Sequence, residues 1–426
     1  MDILFLTENF PPETNAAATR VFERACYWVE AGHDVTVVTC APNFPEGRLF
    51  PGYRNRWRQV ESMEGMRVVR VKTFIAANAG VVRRTLDFLS FMTTGFLAGL
   101  FERRPDVVVA TSPQFFTAVA GWGVAACRRR PFVFELGDLW PASIAAVGAL
   151  PDGAVLRALE QLELFLYRRA AAVVTLTEAF KANLVARGIP PGKIVPVRNG
   201  VDLRRYAPRP RDEALAASWR LAPAFTVGYV GTHGLAHGLR NVLDAADVLR
   251  DERAIRFLLV GAGAERDALV QEARDRGLTN VILAPPQPKE RMPSVWSLCD
   301  VALIHLRDDP VFADVIPSKM FEAMAMGLPL LLALPAGEAT GLAEAEGAGC
   351  AVLPEDPGAL GDAVLRLRDD PQLRDRLASA ARAAASRHSR ASQAERMLEV
   401  LQAVVDGDGV DLASRVPSLS PPRMSA

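Results

Sequence analysis

ILFLTENFPPETNAAATRVFERACYWVEAGHDVTVVT, residues 3–39, decides the fold class. Its two ends, 3–6 and 35–39, are short apolar runs, and a helix-length segment separates them. Runs that are apolar on both faces favour central strands of a parallel sheet, which helices cover on each side. The stretch therefore predicts a strand, a helix and a second, parallel strand.

The same alternation continues along the chain in two series. Helix-length segments separate further short apolar runs, which is the pattern of doubly wound α/β domains. We therefore predict an α/β fold with two Rossmann-like domains, each a doubly wound parallel sheet, that face a cleft. The further predicted strands are 107–111, 132–136 and 172–176 in the first series and 225–231, 255–261, 280–285, 300–306, 328–334 and 350–354 in the second.

Residues 193–213, KIVPVRNGVDLRRYAPRPRDE, interrupt the apolar periodicity with prolines, an Asn-Gly pair and a run of charges. We place the domain boundary there, near residue 205. The last predicted helix should pack back on the N-terminal domain. The expected segments are an N-terminal domain at 1–205, a C-terminal domain at 206–388, closing helices at 371–386 and 389–405, and a flexible tail at 407–426.

The composition excludes several classes of protein. Lys and Arg total 49 and Asp and Glu total 49 in 426 residues, so no overall basic field attracts nucleic acid. Five scattered cysteines without C-x-x-C spacing indicate reduced core residues rather than a disulfide framework or a zinc site. The N-terminus lacks the basic region and apolar run of a signal peptide. We therefore expect a cytoplasmic protein that binds no nucleic acid.

The most apolar segment is LDFLSFMTTGFLAGLF, residues 86–101, in which Asp87 is the single charge. It is shorter than the roughly 20 residues that a membrane-spanning helix needs. The segment therefore predicts a core helix. Arginines at 83, 84, 103 and 104 flank it, so an in-plane helix at an anionic membrane surface is the alternative.

Ligands of doubly wound sheets bind in the loops that follow the carboxyl ends of the strands. The loop at 7–20 lacks G-x-G-x-x-G, which argues against a nicotinamide dehydrogenase or a Rossmann-type epimerase. Its small residues at 16–18 fit an anion at a helix N-terminus, or equally a proline-containing turn that Asn15 caps. GAGAER at 261–266 lacks the third glycine of the dinucleotide fingerprint, and no P-loop pattern indicates an NTPase.

Two other loops are richer in polar groups. GTHGLAHGL at 231–239 carries three glycines and two of the five histidines, which suits close approach of phosphates to backbone N–H groups. His233 and His237 are spaced i, i+4, but no acidic or cysteine ligand accompanies them, so we do not expect zinc there.

The second segment is DVIPSKMFEAMAMGLP, residues 314–329. Ser318 and Lys319 fall in the first turn of a helix, where a cation opposes the macrodipole unless an anion or solvent meets it. Glu322 follows one turn later on the same face, and a carboxylate accepts hydrogen bonds from both vicinal hydroxyls of a ribose. The pattern predicts a nucleotide-diphosphate grip. A surface Lys-Glu pair is the alternative.

These motifs resemble the family 4 glycosyltransferases with the GT-B fold, over nearly the whole chain. PNFPEG, DLWP and PAGEA, together with the two loops above, are most similar to the bacterial fucosamine transferase subgroup of surface polysaccharide assembly. The segments that carry the resemblance are PPE at 11–13, GHDVTVVT at 32–39, PNFPEG at 42–47, DLWP at 138–141, RNGVDLRRYAP at 198–208, YVGTHG at 229–234, PSKMFEAMAMGLP at 317–329 and PAGEA at 335–339.

The resemblance implies a retaining transfer from a nucleotide diphosphate sugar, held mainly by the C-terminal domain, to an acceptor held by the N-terminal one. Glu322 matches the family's ribose-binding Glu. Asp314 matches the Glu that contacts the donor sugar and is one methylene shorter. The family's phosphate-binding Arg and Lys match Thr232 and His237, so Lys319 is our candidate for the diphosphate charge. The remaining predicted donor-binding residues are Asn199, Gly231, His233, Gly234 and Ser318.

On the acceptor side, many family members carry a His-Asp pair where this sequence has Gly137-Asp138. Asp138 is our candidate to orient or deprotonate the acceptor hydroxyl, with Glu13 and Glu135 as alternatives. In a retaining reaction without a covalent intermediate, the leaving diphosphate can itself take the proton. No Asp-x-Asp element stands in a suitable loop, so we expect neither a metal nor another cofactor.

The resemblance also sets expectations about partners. The donor should be a UDP-sugar carrying a hexose or an N-acetylated deoxyhexose, and the acceptor a polyprenyl-diphosphate-linked saccharide of O-antigen, capsule or exopolysaccharide assembly. The protein would act at the cytoplasmic face of the inner membrane, with residues 83–104 as its contact. Two alternatives stay open: a GT-B-like nucleotide-sugar epimerase or phosphorylase, and a non-catalytic GT-B-like binding subunit.

Overall fold

The computed structural model divides the chain into two compact units. The first unit contains residues 1–199 and the segment that begins at Arg390, and the second contains 200–389. The sequence placed this boundary near residue 205. The tail at 408–426 and the end of the DLWP motif lie outside the described residues. The structure describes residues 1–13, 15–44, 46–76, 81–112, 114–139 and 153–407.

An eight-stranded sheet forms the centre of the first unit. Its strands are β1 (Asp2–Leu6), β2 (Asp34–Cys40), β3 (Arg58–Met63), β4 (Met66–Val71), β5 (Val107–Thr111), β6 (Phe132–Leu136), β7 (Ala172–Thr175) and β8 (Ile194–Pro196). They lie in the order β3-β4-β2-β1-β5-β6-β7-β8, and every pair is parallel except β3 with β4.

A six-stranded, all-parallel sheet forms the centre of the second unit. Its strands are β9 (Phe225–Val230), β10 (Ile255–Val260), β11 (Val281–Ala284), β12 (Val301–His305), β13 (Leu330–Ala333) and β14 (Gly349–Val352). The order is β11-β10-β9-β12-β13-β14. The predicted fold class and all eleven predicted strands are confirmed.

Fourteen helices in the described residues cover the sheets. They are α1 (Ala16–Glu30), α2 (Val81–Phe101), α3 (Phe115–Arg128), α4 (Ala154–Arg169), α5 (Glu178–Ala186), α6 (Glu213–Ser218), α7 (Arg240–Val248), α8 (Arg266–Asp275), α9 (Met292–Trp296), α10 (Ser318–Ala325), α11 (Glu338–Ala345), α12 (Pro357–Asp369), α13 (Pro371–Ala385) and α14 (Arg390–Val405). The two predicted closing helices are therefore present.

The strongly apolar segment at 86–101 is part of α2 and packs in the core of the first unit. Phe91 is fully buried, and Ala98 joins the same apolar cluster as Val124 of α3. The prediction of a core helix is confirmed. None of the helices in the described part of the chain is long and apolar enough to span a membrane.

The last helix, α14, packs against α1 in the first unit. The indole N–H of Trp28 donates a 3.0 Å hydrogen bond to the carbonyl of Ala394, and Arg390 forms a 2.8 Å ion pair with Glu23. Apolar residues of α14, such as Met397, join the core cluster that contains Phe5 of β1. The chain thus leaves the first unit once and returns to complete it.

Each sheet has a point where the chain turns from one side to the other. In the first sheet β1 lies between β2 and β5, and in the second β9 lies between β10 and β12. Ligands of open α/β sheets bind outside the carboxyl ends of strands at such points. The loops after β1 and β9 are therefore where each unit should present functional groups.

Candidate functional site

In the second unit, the loops after β9 and β10 lie against each other. The backbone N–H of His233 donates to the carbonyl of Ala262 at 2.8 Å, and the N–H of Glu265 donates to the carbonyl of His233 at 2.9 Å. A Cβ at Gly261 would lie 1.8 Å from the carbonyl oxygen of Gly231, and one at Gly263 only 2.3 Å from that of His233. The two glycines of the GAG sequence therefore permit this close approach.

Lys319, in the first turn of α10, directs its ammonium into this loop. Its Nζ lies 3.6 Å from the centre of the Tyr229 ring, at the end of β9. The Nζ is buried and has no hydrogen-bond partner among the described residues. A Cβ at Gly231 would lie 3.1 Å from it, so glycine leaves room for the ammonium. Burial lowers the pKa of Lys319 to about 7, although Glu322 opposes that shift.

Two histidines of the glycine-rich loop lie around the same tyrosine. The ring of His233 is 6.0 Å and the ring of His237 is 6.2 Å from the Tyr229 ring, centre to centre. Both ring nitrogens of His233 and Nδ1 of His237 are buried without a hydrogen-bond partner in the described residues. Burial, with the nearby cations Arg266 at His233 and Lys319 at both rings, lowers the pKa of each histidine to about 4. Both imidazoles are therefore neutral at pH 7.

Hydrogen bonds from the neighbouring strand and from Tyr229 hold the loop in place. The Tyr229 hydroxyl donates to the carbonyl of Thr232 at 2.7 Å. His305, at the end of β12, donates from Nδ1 to the carbonyl of His237 at 2.7 Å, because a carbonyl only accepts. Its Nε2 then accepts from the Asn241 side chain at 2.9 Å. The loop is thus fixed on both sides before any ligand binds.

Glu322 lies one turn after Lys319 on α10. Its Oε2 accepts a 3.3 Å hydrogen bond from the indole N–H of Trp296, which is fully buried at the end of α9. This contact fixes the orientation of the carboxylate. The side chain is half-buried, and Ser318 is half-buried beside it at the start of α10.

Asp314 lies in the loop before α10 and is half-buried. Its carboxylate has no hydrogen bond or ion pair with any residue that the structure describes. The neighbouring carbonyl of Ala313 accepts from the N–H of Glu338 at 2.8 Å, and a Cβ at Gly337 would lie 2.1 Å from that carbonyl. The PAGEA segment thus supports the loop that presents Asp314.

In the first unit, the predicted acidic residues have partners. Glu13 is buried and its Oε1 accepts from the backbone N–H groups of Asn43 and Phe44 at 2.8 and 2.9 Å, while Oε2 accepts from the Asn9 side chain at 2.8 Å. Its carboxylate therefore ties the loop after β1 to the loop after β2.

Glu135 forms a buried charge cluster with two arginines of α1. Its Oε1 lies 2.6 Å from Arg24 and 3.2 Å from Arg20. Burial alone raises the pKa of Glu135, but the two guanidinium groups outweigh burial and hold the pKa below its usual value. Glu135 is therefore a poor proton acceptor, and of the carboxylates considered for that role it is the least suited.

The same cluster explains the glycine where many family members have histidine. A Cβ at Gly137 would lie 2.5 Å from the carbonyl oxygen of Ser112 and 2.8 Å from the Arg20 guanidinium. With Arg20 in this place, no side chain fits at 137. Asp138 follows at the carboxyl end of β6 and is half-buried.

The structure brings most of the predicted donor residues together in the second unit. The exception is Asn199, which belongs to the first unit, where its Oδ1 accepts a 3.5 Å hydrogen bond from Arg390. The sequence did not single out Tyr229, Trp296 and His305, which support Lys319, Glu322 and the glycine-rich loop. The predicted residues that lie around Tyr229 and the Lys319 ammonium are Gly231, Thr232, His233, Gly234 and His237; Ser318 and Glu322 share α10 with Lys319, and Asp314 lies in the preceding loop.

Among the described residues, no three His, Cys, Asp or Glu side chains converge as metal ligands would.

Solved structures share the fold over nearly the whole chain. Sucrose-phosphate synthase from Thermosynechococcus elongatus aligns with a TM-score of 0.75 and 17% sequence identity, covering 95% of this chain and 99% of that one. Alr3699/HepE from Anabaena, in complex with UDP, aligns with a TM-score of 0.70 and 19% identity, covering 95% and 100%. Two doubly wound units of this kind make up the GT-B fold.

Sequence comparisons give the family. The glycosyl transferase 4-like domain matches residues 15–200, and the glycosyl transferases group 1 domain matches residues 224–370. The chain belongs to the family 4 glycosyltransferases. A putative colanic acid biosynthesis glycosyl transferase, WcaI of Escherichia coli, is 25% identical over 77% of this chain and 82% of its own length. A GDP-mannose-dependent alpha-mannosyltransferase of Mycobacterium tuberculosis is 27% identical over 77% and 78%.

Proposed function

We propose that the protein is a retaining glycosyltransferase that moves a sugar from a nucleotide diphosphate donor to a polyprenyl-diphosphate-linked saccharide. The observation that carries this proposal is a set of buried nitrogen atoms around Tyr229, on Lys319, His233 and His237, that have no hydrogen-bond partner among the described residues. Buried polar groups in native proteins are hydrogen-bonded, so a set left unpaired in one place indicates a ligand. Donors of this kind suit an oxyanion.

A diphosphate fits the character of these groups. Lys319 supplies one positive charge, the neutral imidazoles of His233 and His237 each supply one N–H donor, and the glycine loop supplies backbone N–H groups. When the sugar is transferred, the nucleoside diphosphate part of the donor leaves, and negative charge develops on its diphosphate in the transition state. Donors that are fixed in a buried site before reaction stabilise such charge strongly.

The carboxylates of the second unit fit the two sugars of the donor. Glu322, oriented by Trp296, would accept hydrogen bonds from the ribose hydroxyls. Asp314, which has no partner among the described residues, would accept from a hydroxyl of the transferred sugar. Both assignments rest on the family resemblance, together with the position of Glu322 one turn after Lys319 on α10 and of Asp314 in the loop that precedes this helix.

The transfer breaks the bond between the anomeric carbon and the diphosphate oxygen and forms a bond from that carbon to the acceptor oxygen on the same face. The acceptor hydroxyl proton passes to the leaving diphosphate oxygen, and Asp138 is the alternative acceptor of this proton. Glu135 is excluded as the acceptor of this proton by its two arginine partners. Glu13 supports the loop after β1 through its three hydrogen bonds.

Relatives support a role in surface polysaccharide assembly. The E. coli relatives carry the names of putative colanic acid biosynthesis glycosyltransferases. We propose UDP as the donor nucleotide because a structural neighbour binds UDP and UDP-glucose, and an N-acetylated deoxyhexose as the sugar because of the resemblance to fucosamine transferases. A GDP-dependent relative makes GDP the nucleotide to compare. We propose action at the cytoplasmic face of the inner membrane, where lipid-linked acceptors present their saccharides.

The test is the affinity of the purified protein for UDP and for GDP, measured by titration calorimetry. Lys319→Ala should weaken UDP binding by about ten- to a hundredfold, because a hydrogen bond to a charged group contributes about 1.5–3 kcal/mol. Glu322→Ala should weaken it by a similar factor. Lys181→Ala, on α5 of the first unit, is the matched lysine control and should bind UDP like the wild type.

Wild-type affinity in both Lys319→Ala and Glu322→Ala would contradict the site. Conversion of the donor without any acceptor would instead indicate an epimerase or phosphorylase. Donor binding without transfer to any acceptor tested would favour a binding subunit.

A further inference from the structure

The buried charge cluster of the first unit contains two cations for one anion. Arg20 and Arg24 of α1 both contact Oε1 of Glu135, at 3.2 and 2.6 Å. The side chains of the two arginines are 5% and 2% exposed, and that of Glu135 is fully buried. Within the cluster, one buried positive charge is therefore not balanced.

Hydrogen bonding inside this cluster is incomplete. Arg20 donates from Nη2 to the Thr111 hydroxyl at 3.3 Å, and Arg24 donates from Nη1 to Glu135 at 2.6 Å. Nε of Arg20 and Nη2 of Arg24 are buried and have no hydrogen-bond partner among the described residues. Oε2 of Glu135 has none there either, and the two arginines share the other oxygen. Buried polar groups in native proteins are hydrogen-bonded, so the two nitrogen atoms indicate a further partner.

A third cation acts on the cluster from α14. Arg390 lowers the pKa of Arg20, and its own 2.8 Å ion pair is with Glu23. Burial is the largest cause of the lowered pKa of Arg20, and the single carboxylate of Glu135 opposes that shift without reversing it. Burying a charge is costly unless it is paired. A buried excess of positive charge therefore suits an anionic ligand.

The Arg20 guanidinium lies at the edge of the first sheet where ligands bind. Thr111, which accepts its hydrogen bond, is the last residue of β5, and Gly137 directly follows β6. A Cβ at Gly137 would lie 2.8 Å from Nη2 of Arg20. Strand β5 pairs with β1 at the point where the chain turns to the other side of the sheet, and ligands bind beyond the carboxyl ends of strands there. Asp138, our candidate to orient the acceptor hydroxyl, is the next residue of the chain.

We propose that Arg20 binds an oxyanion of the acceptor, either the diphosphate of its lipid carrier or a carboxylate of its saccharide. The inference rests on the proposed function, which assigns the acceptor to the first unit and the donor diphosphate to the groups around Lys319. A guanidinium fits both kinds of oxyanion, because its N–H groups form a planar fork that matches two oxygen atoms. A neutral sugar would leave the excess charge uncompensated.

Arg20 and Arg24 have different roles in this proposal. Arg24, at 2.6 Å, is the closer partner of Glu135 and neutralises it. Arg20 is the second cation, and Thr111 and Glu135 fix its orientation before the ligand binds. Removing Arg20 leaves one cation and one anion, so Arg20→Gln should not lower the unfolding temperature as the loss of Glu135 would.

The experiment is titration calorimetry of the full chain in saturating UDP, which occupies the proposed donor site. The probes are farnesyl diphosphate, for the lipid diphosphate, and methyl glucuronide, for a sugar carboxylate. The wild type should bind at least one of them, and the probe that binds identifies the source of the oxyanion. Arg20→Gln should weaken that binding by about ten- to a hundredfold, the effect expected for hydrogen bonds to a charged group.

A second variant keeps Arg20 and changes only its support. Thr111→Val preserves the shape of the side chain and removes the oxygen that accepts from Nη2. It should weaken binding of the same probe by about two- to tenfold, because one neutral hydrogen bond is lost. The matched control is Arg168→Gln, an exposed arginine in the last turn of α4 in the same unit. It removes the same charge elsewhere and should bind the probe like the wild type.

UDP affinity, measured without a probe, separates this inference from the proposed donor site. It should be unchanged in Arg20→Gln and reduced in Lys319→Ala. If Lys319→Ala kept wild-type UDP affinity while Arg20→Gln still lost the probe, the donor site would be wrong and the oxyanion site would stand. Three results would overturn the oxyanion site: binding of neither probe by the wild type, equal probe affinity in Arg20→Gln and the wild type, or an equal loss of UDP and probe in Arg20→Gln.

Discussion

The two units treat their buried charges in opposite ways. At the carboxyl end of the first sheet, Glu135 pairs with Arg20 and Arg24. At the carboxyl end of the second sheet, the Lys319 ammonium is buried over the Tyr229 ring and has no hydrogen bond with any residue that the structure describes. Burial costs an unpaired charge several kcal/mol, so a protein keeps one only where something else compensates. The charges of the first unit form ion pairs with each other, whereas the Lys319 ammonium has no ion pair with a described residue, as the proposed anion site requires.

This difference predicts that removing one buried charged side chain affects the stability of the ligand-free protein differently in the two units. Removing a partner in the first unit exposes its remaining charges to the cost of burial. Removing the Lys319 ammonium removes the cost of burying it in the ligand-free protein. The loss of Lys319 is therefore expected to weaken ligand binding without lowering the stability of the ligand-free protein. The free energy of unfolding should therefore report the substitutions in the first unit, and ligand affinity those in the second.

The largest effect should come from Glu135→Gln. It leaves two buried guanidinium groups without a counter-charge, and breaking a buried ion pair in this way costs about 3–5 kcal/mol. The free energy of unfolding of the first unit, measured in urea, should fall by that amount. Glu46→Gln removes an exposed carboxylate from the same unit and should change the free energy of unfolding little.

In the second unit, Lys319→Ala should not lower the unfolding temperature of the ligand-free protein. If Lys319→Ala lowers the unfolding temperature as Glu135→Gln does, the proposed contrast between the two units is wrong.

The next effect concerns the close approach of the two loops in the second unit. Gly261→Ala places a Cβ where the carbonyl oxygen of Gly231 now lies, so one loop must move. Overpacking of this kind costs about 1–3 kcal/mol. We expect a lower unfolding temperature and weaker UDP binding together, because the displaced loop carries His233. Gly341→Ala, in α11 with open space around it, is the control and should leave both unchanged or raise stability slightly. Normal UDP affinity in Gly261→Ala would show that the loop position does not matter.

The parts of the fold that the sequence predicted are those whose pattern is local in the sequence. The central strands follow from apolar runs, because each run is buried on both faces. Strand β3 was missed because Arg58–Met63 is an edge strand with an exposed or half-exposed residue at every position, so its sequence lacks an apolar run. Strand β4 was missed although it is mostly buried, because Arg67 and Arg70 interrupt its apolar residues. The three-residue β8 was read as part of the linker.

The site shows the same limit. Lys319 and Glu322 share one helix, so their spacing alone places them on one face. Tyr229 and His305 reach the site from β9 and β12, and only the order of strands in the sheet brings them to Lys319 and to the glycine-rich loop. Trp296 approaches Glu322 from a separate helix. In the first unit, nothing in the sequence indicated that Arg20 would occupy the space beside Gly137.

A pH dependence of UDP affinity should follow from Lys319. Its pKa is lowered to about 7 in the empty site by burial, and a bound diphosphate favours the charged form and raises it again. Above pH 7, binding therefore takes up a proton, and the dissociation constant should rise by up to about tenfold per pH unit. His233, His237 and His305 face the same region but stay neutral in this range, since their pKa values are about 4.

Lys319→Arg is the control for this titration, because a guanidinium stays charged at every pH used. Its UDP affinity should be nearly constant between about pH 7 and 9, where the terminal phosphate, with a second pKa of about 6, no longer titrates. An equally steep dependence in Lys319→Arg would assign the proton to another group.

The smallest effect should distinguish the nucleotide from the sugar within the second unit. Asp314 is a carboxylate without a partner in the described residues, yet it lies in the loop before α10 rather than beside the Lys319 ammonium. Asp314→Asn should leave UDP affinity unchanged and weaken binding of a UDP-sugar by about two- to tenfold, because one hydrogen bond contributes about 0.5–1.5 kcal/mol. Titrating both ligands into both proteins gives the comparison directly. Asp314→Glu, which restores the family's longer side chain, should keep UDP-sugar affinity near the wild-type value. If Asp314→Asn weakens UDP and UDP-sugar equally, the carboxylate acts on the nucleotide portion. Asp314 would then belong to the same nucleotide-binding group of residues as Lys319.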